Sequence, residues 1–103
     1  MAAVTSFSSF REFYPYYLGE HSNLTCRRLH YLGSTLGLVC VILTVVRGNP
    51  LWILAGLGCG YGCAWIGHFF FEKNKPATFH HPFYSFIGDW VMYTDMLRGR
   101  IRF

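Results

Sequence analysis

The residues of this sequence best suited to metal or acid–base chemistry are its five histidines: His21, His30, His68, His80 and His81. Neutral imidazole is a common protein ligand for iron, zinc and copper. Glu72 follows His68 by four residues, so the two would share a face on a helix. Its carboxylate is a candidate ligand, or a hydrogen-bond partner for that imidazole. Because these side chains are far apart in sequence, the elements between them must bring them together.

Two long apolar stretches separate the histidines. Residues 29–46 are 18 positions without a charge, and residues 51–71 are 21 positions interrupted only by His68. Each is long enough to cross a hydrocarbon core of about 30 Å as a helix. We therefore predict transmembrane helices at 24–46 and 51–74, with Asn23 as the N-cap of the first. The turn at 48–50 makes them antiparallel neighbours.

Aromatic segments flank both predicted spans. Residues 6–20 place apolar side chains at helical spacing, and residues 83–98 form another apolar helical face. We interpret the first as an interfacial segment, bent or broken at Pro15, and the second as an interfacial or re-entrant helix. Pro76 is expected to end the second span near Asn74. The chain, residues 1–103, is thus predicted to be one all-α membrane domain, a two-span antiparallel transmembrane helical hairpin flanked by interfacial amphipathic helices.

The basic residues predict the orientation of this hairpin. Of nine Lys and Arg residues, only Arg47 lies in the connection between the spans. By the positive-inside rule, both termini are expected to be cytoplasmic, in the inner membrane of a bacterium or the endoplasmic reticulum of a eukaryote. The net charge of +4 then reflects topology and contact with anionic membrane lipid. We expect no nucleic-acid partner, because no basic stretch lies apart from the membrane flanks.

The predicted topology gathers the histidines. An antiparallel hairpin places the start of one helix beside the end of the other, so all five histidines are expected at one membrane face. An ionisable side chain within a span, such as His68, is a functional candidate by default. Asp89 is interpreted as a helix-cap or salt-bridge partner rather than a ligand.

Small residues on the two spans predict close helix packing. Gly56 with Gly60, and Gly58 with Gly62, lie four residues apart on the second span. Such pairs let helix backbones approach closely in lipid. Because two spans bury little surface, a homo-oligomer formed through the glycine faces is expected.

Several short motifs resemble a known family. Before and within the first span these are FYPYYL (13–18), EHSN (20–23) and RLH (28–30). After it come WIGHF (65–69), FEKN (71–74), PATF (76–79), HP (81–82), SF (85–86) and GD (88–89). Together they resemble the small membrane family of the fungal endoplasmic-reticulum 2-hydroxy-fatty-acid (2-hydroxypalmitate) dioxygenase. The chain is similar to a short-form member, since the fungal enzyme has additional hydrophobic segments.

The resemblance implies an iron(II)-dependent dioxygenase. Members of the family use molecular oxygen to shorten a 2-hydroxy fatty acid by one carbon, in fatty-acid α-oxidation and sphingoid-base catabolism. Carried over by motif, His21, His30 and His68 are the expected iron ligands and catalytic residues. Glu72 matches an acidic catalytic position, and His81 matches a fourth candidate metal ligand. His80 matches no motif position.

Two other functions fit the residues. The first is a haem protein in which His30 and His68 provide the axial ligands across the hairpin. The second is a non-enzymatic lipid-binding or packing subunit of a membrane complex, in which the histidines only anchor the chain at the headgroups. The sequence leaves both open.

Overall fold

The computed structural model describes residues 7–103, and these are helical, with no strand among them. Helix α1 spans Phe10–Gly19, α2 spans Leu24–Arg47, α3 spans Leu51–Ile66 and α4 spans Pro82–Leu97. Between α3 and α4, the chain continues as a π-helix over Gly67–Glu72 and a short 3₁₀ turn over Ala77–Phe79. The prediction of an all-α protein is confirmed.

Two of these helices are long and apolar enough to cross a membrane. They are Leu24–Arg47, with 24 residues, and Leu51–Glu72, which joins α3 to the π-helix, with 22. Only 17% and 22% of their apolar windows are buried inside the protein, so most of their side-chain surface requires another apolar environment. The prediction of two candidate spans is confirmed.

The observed ends of the helices agree in part with the ends predicted from the sequence. The Asn23 side chain accepts a hydrogen bond from the Cys26 N–H, as expected of an N-cap. The second candidate span ends at Glu72, two residues earlier than predicted, because Lys73 adopts the left-handed conformation at φ 61°. Termination therefore precedes Pro76 and does not depend on it.

Pro15 was expected to bend or break the first segment, and it does not break it. Helix α1 runs through Pro15 from Phe10 to Gly19. A proline in a helix removes the hydrogen bond to the carbonyl four residues earlier. Here that carbonyl belongs to Arg11, in the first turn of the helix, so most of the helix's hydrogen bonds remain. Residue 6, the first residue of the predicted segment, lies outside the described residues.

Helices α2 and α3 pack through glycine. A Cβ atom on Gly33 would lie 3.0 Å from the Cys63 Cβ and 3.1 Å from the Gly60 Cα, and one on Gly56 would lie 3.0 Å from the Cys40 Cβ. Early residues of α2 thus meet late residues of α3, so the helices run antiparallel. By contrast, a Cβ on Gly58 or Gly62 would meet nothing within 4 Å. Gly58 and Gly62 therefore face away from α2. The homo-oligomer expected through the glycine faces stays a prediction.

Helices α1 and α4 share a small core beside one end of this hairpin. Its buried members are Phe13, Tyr17, Ala77, Met92 and Met96, of which Phe13 is fully buried. A Cβ on Gly88 would lie 3.0 Å from the Tyr17 ring, so α4 packs directly on that ring. The two flanking segments therefore pack on each other, and their predicted position at a membrane interface stays a prediction.

Candidate metal centre

Three histidines meet at the end of the hairpin that α1 and α4 cover. The Nε2 atom of His21 lies 3.1 Å from that of His30 and 2.9 Å from that of His68. One ligand nitrogen from each of the three lies within 4.8 Å of the others. The side chains are buried, with exposed fractions of 1%, 6% and 1%. Within residues 7–103, no other group of three histidine, cysteine or carboxylate side chains has this geometry.

The hydrogen bonds at the opposite ring nitrogens fix the tautomers. His21 Nδ1 lies 2.6 Å from the Tyr17 carbonyl oxygen, and His30 Nδ1 lies 2.9 Å from the Cys26 carbonyl oxygen. A carbonyl only accepts, so both Nδ1 atoms carry the proton and donate it.

His68 has the same tautomer for a less direct reason. Its Nδ1 lies 2.7 Å from Asn74 Oδ1. The amide orientation of Asn74 is set by its Nδ2–H, which donates to the Glu20 carbonyl at 3.1 Å. The oxygen must then face His68. All three imidazoles therefore direct an unprotonated Nε2 toward one point.

Three lone pairs at this separation repel one another unless a cation lies among them. Two nitrogens bound at a right angle, each about 2.1 Å from a divalent first-row metal, lie about 3 Å apart. The two short Nε2 separations match this value. Three neutral imidazoles suit iron, zinc, copper or nickel, and they leave coordination positions open for other ligands. The donor set therefore fits a catalytic transition metal.

Local structure positions each ligand. His21 lies in the link between α1 and α2, where its ring stacks on Tyr17 at a centroid distance of 4.0 Å. His30 lies two turns into α2. His68 belongs to the π-helix, a rare conformation that occurs frequently at functional sites. The preceding Gly67 lets this segment approach α2, since a Cβ there would lie 2.9 Å from the Cys26 sulfur and 3.1 Å from its Cα.

The surroundings of His21 favour its neutral form. Burial lowers the pKa of His21 well below its usual value, and the neighbouring His30 and His68 lower it further. A ligand imidazole must be unprotonated. The site is therefore set to offer its nitrogen at neutral pH without first losing a proton.

The Glu72 carboxylate lies elsewhere. It accepts hydrogen bonds from the backbone N–H of Asn23 and, at 3.3 Å, from the Ser22 hydroxyl. A carboxylate at a helix N-terminus interacts favourably with the helix dipole. This contact joins the end of the π-helix to the start of α2, and so fixes the spacing between His68 and the loop that carries His21. Glu72 is not a member of the three-histidine group.

The remaining histidines do not join the group either. The His81 ring packs on Phe7, Phe13 and Tyr16, with centroids 5.2, 5.4 and 6.0 Å away. His80 is exposed. Of the five histidines expected to gather at one membrane face, three thus come together as candidate ligands. The reason is that Pro82 begins α4 at once and directs His81 toward the core of α1.

Three polar residues complete the site, and sequence reasoning did not give them these roles. Asp89, expected to be a cap or salt-bridge partner, accepts a hydrogen bond from the Tyr17 hydroxyl. Burial raises the pKa of Asp89 to about 6. Ser85 is 3% exposed, and its buried hydroxyl oxygen has no hydrogen-bond partner. Ser85 and Asp89 both line a small cavity next to the three histidines. Asn74 is the third of these residues. The only indication of it in the sequence is its place in the FEKN motif.

The geometry counts against a haem bound between His30 and His68. Their ring centroids are 5.0 Å apart, and His21 Nε2 lies within 3.1 Å of both Nε2 atoms. A porphyrin plane between them would occupy the position of His21. The third imidazole thus favours a non-haem metal.

Comparison with known proteins gives one family. The model of the family described as 2-hydroxy-palmitic acid dioxygenase Mpo1-like matches residues 7–101, which is nearly the whole chain and includes all three histidines. No curated protein and no solved structure matches the chain.

Proposed function

Because the chain belongs to the 2-hydroxy-palmitic acid dioxygenase Mpo1-like family, we propose that it is an iron(II)-dependent dioxygenase that shortens 2-hydroxy fatty acids by one carbon. In this reaction the bond between C1 and C2 breaks, C2 becomes the carboxyl carbon of the shorter acid, and C1 leaves as carbon dioxide. One molecule of oxygen accepts the four electrons, and one water forms. The observation that carries the proposal is the convergence of three unprotonated Nε2 atoms from His21, His30 and His68.

The residues that would hold iron are these three histidines. The chemistry that iron(II) supplies at such a site is activation of oxygen and chelation of the hydroxyl and carboxylate oxygens of a 2-hydroxy acid. The three Nδ1–H donors are anchored on fixed oxygens, so each imidazole is held in the tautomer that presents Nε2.

Other residues shape the place where the substrate's polar head would bind. Asp89 and Ser85 lie on the α4 side of the histidines. The Ser85 hydroxyl has no partner within the protein, so it is available to donate to a substrate carboxylate. Tyr17 covers His21 with its ring and is itself 1% exposed, which excludes water from that side.

The proposed reaction takes place at a membrane surface. We propose that both candidate spans cross the bilayer and that both termini are cytoplasmic, because the three-histidine end carries eight of nine basic residues. A 2-hydroxy fatty acid would then reach the site with its tail in the bilayer. Membrane lipid is thus the expected surrounding and source of substrate.

Turnover tests the proposal. The purified protein in detergent receives iron(II), oxygen and 2-hydroxypalmitate, and mass spectrometry measures the acid one carbon shorter. We expect product that depends on iron and oxygen and that disappears when zinc replaces iron, since zinc is not redox-active. Product formed equally with zinc or without oxygen would contradict a dioxygenase. Absence of product from folded, iron-loaded protein would contradict this substrate.

A further inference from the structure

A second cavity begins at the histidine site and extends along the hairpin. The small cavity beside the three histidines and a larger one, with a volume of about 160 Å³, share four lining residues: His30, Tyr61, Ala64 and Asp89. The larger cavity continues between α2 and α3 to Val41 and Ile53. The two cavities are therefore adjacent, and together they outline a groove with a polar end at His30 and an apolar remainder.

The groove follows the length of the candidate spans. Val41 is eleven residues from His30 on α2, so at about 1.5 Å per residue the groove is about 16 Å long. Its side is open, because Val41, Ile53 and Leu57 are 49%, 40% and 45% exposed. At the polar end, Phe86 and Trp90 of α4 complete the lining.

We propose that this groove binds the acyl chain of the substrate and that its depth sets the preferred chain length. The inference rests on the proposed function for the chemistry of the polar head. The occupant is a single fatty acid, since the groove is apolar along its length and ends at the polar site. The unpartnered Ser85 hydroxyl and the histidine nitrogens lie at that same end.

The dimensions fit a long-chain acid. An extended alkyl chain with carbon–carbon bonds of about 1.52 Å advances about 1.25 Å per carbon. The distance from His30 to Val41 therefore corresponds to the length of about 13 extended carbons beyond the reacting head. Its open side lets the chain enter from the bilayer without leaving an apolar environment.

Glycine forms the wall of the groove, and the four lining glycines differ in what they tolerate. Gly33 and Gly56 lie in tight helix contact, so a side chain there would separate α2 from α3. A Cβ on Gly37 or Gly60 would meet only a carbonyl oxygen, at 3.8 Å. Gly37 is thus a position where a side chain can be added to obstruct the groove without forcing the helices apart.

Two substitutions test the depth of the groove at different points. Gly37→Leu obstructs it seven residues from His30, at about 10 Å, and Val41→Trp at about 16 Å. Their control is Val45→Trp, since Val45 is 79% exposed and lies outside the groove.

The first measurement is turnover across 2-hydroxy acids of increasing length. We expect Gly37→Leu to lower kcat/KM for 2-hydroxypalmitate at least about tenfold. Its kcat/KM for the shorter 2-hydroxyoctanoate should be retained. Val41→Trp should lower kcat/KM only for the longer acids of the series, and the Val45→Trp control should match the parent protein at every length. An unchanged length preference in the two groove variants would overturn the inference.

The second measurement does not depend on catalysis. A 2-hydroxy fatty acid with a diazirine at its ω end is photo-crosslinked to the iron-free protein, and the labelled peptides are identified. Labelling near Val41 and Ile53, competed by 2-hydroxypalmitate, supports the groove. Labelling elsewhere, or competition only by phosphatidylcholine, overturns it. A labelled groove in a protein without turnover would leave the groove standing and contradict the proposed reaction alone.

Discussion

The two ends of the hairpin differ in whether other parts of the protein pack against their side chains. At the histidine end, α1, α4 and the π-helix supply hydrogen-bond partners and a buried core around the three imidazoles. At the opposite end, the helices are joined by a turn at Gly48, with φ 63°. There Val45 and Val46 are 79% and 71% exposed. No packed element covers the side chains of that end within the described chain.

This contrast separates what the protein completes by itself from what its surroundings must supply. Polar groups in an apolar environment require partners, and the histidine end provides them from its own residues. Apolar side chains without partners require lipid or another protein surface. The far end therefore needs an apolar environment but few particular residues, whereas the histidine end depends on particular residues.

The largest effect is expected on removing a ligand. His68→Ala should lower both the affinity for the metal and the turnover at least about a hundredfold, because two imidazoles then remain of three. Metal content by inductively coupled plasma mass spectrometry and product formation measure both. His80→Ala is the matched control, since His80 is exposed and lies outside the group. Equal loss in both variants would contradict a specific site.

A smaller effect is expected at Asn74. Its Oδ1 accepts from His68 Nδ1, and its amide is held by the Glu20 carbonyl. Without it, the tautomer and orientation of His68 are no longer fixed, so Asn74→Ala should weaken metal affinity about 10- to 100-fold. A competition titration with a chelator measures this. Parent-like affinity in the folded variant would show that Asn74 does not position the ligand.

Glycine substitution compares the two sides of the same helix. Gly67→Ala places a methyl 2.9 Å from the Cys26 sulfur and 3.1 Å from its Cα, so it should destabilise the protein by about 1–3 kcal/mol. Gly62→Ala meets nothing within 4 Å and should be neutral or slightly stabilising, since alanine favours a helix. Thermal unfolding in detergent measures both. A larger loss at Gly62 would contradict the helix packing.

The effect expected from Asp89 is visible only as a dependence of stability on pH. Its pKa is about 6 in the folded protein against a usual 3.8, so the folded state binds the proton more tightly. Its contribution to the free energy of unfolding therefore decreases as pH rises from about 4 to about 6, by up to about 3 kcal/mol at about 1.36 kcal/mol per unit. Asp89→Asn should remove that pH dependence. Identical pH profiles of melting temperature in the two proteins would refute it.

Sequence reasoning identified the features that follow from composition and spacing. The apolar stretches gave both candidate spans, and Asn23 gave the start of α2. Antiparallel neighbours then placed all five histidines at one end of the hairpin, and the motif resemblance gave His21, His30 and His68 as the expected ligands.

Other features depend on interactions between distant residues. A helical period of 3.6 put Glu72 beside His68, but the π-helix and the start of α2 direct the carboxylate to Asn23. Asn74 and Ser85 acquire their roles only when α1 and α4 close over the site. Pro15 was expected to bend or break its segment, because the sequence does not show that this proline lies only one turn from the start of a helix.

The central claim is that His21, His30 and His68 bind one iron together. X-ray absorption at the iron edge tests it most directly, because imidazole rings give multiple-scattering features that count the bound histidines. We expect about three imidazole nitrogens at about 2.1 Å from iron in the iron-loaded protein, and about two in iron-loaded His68→Ala. A spectrum without imidazole scattering, or one unchanged by that substitution, would contradict it.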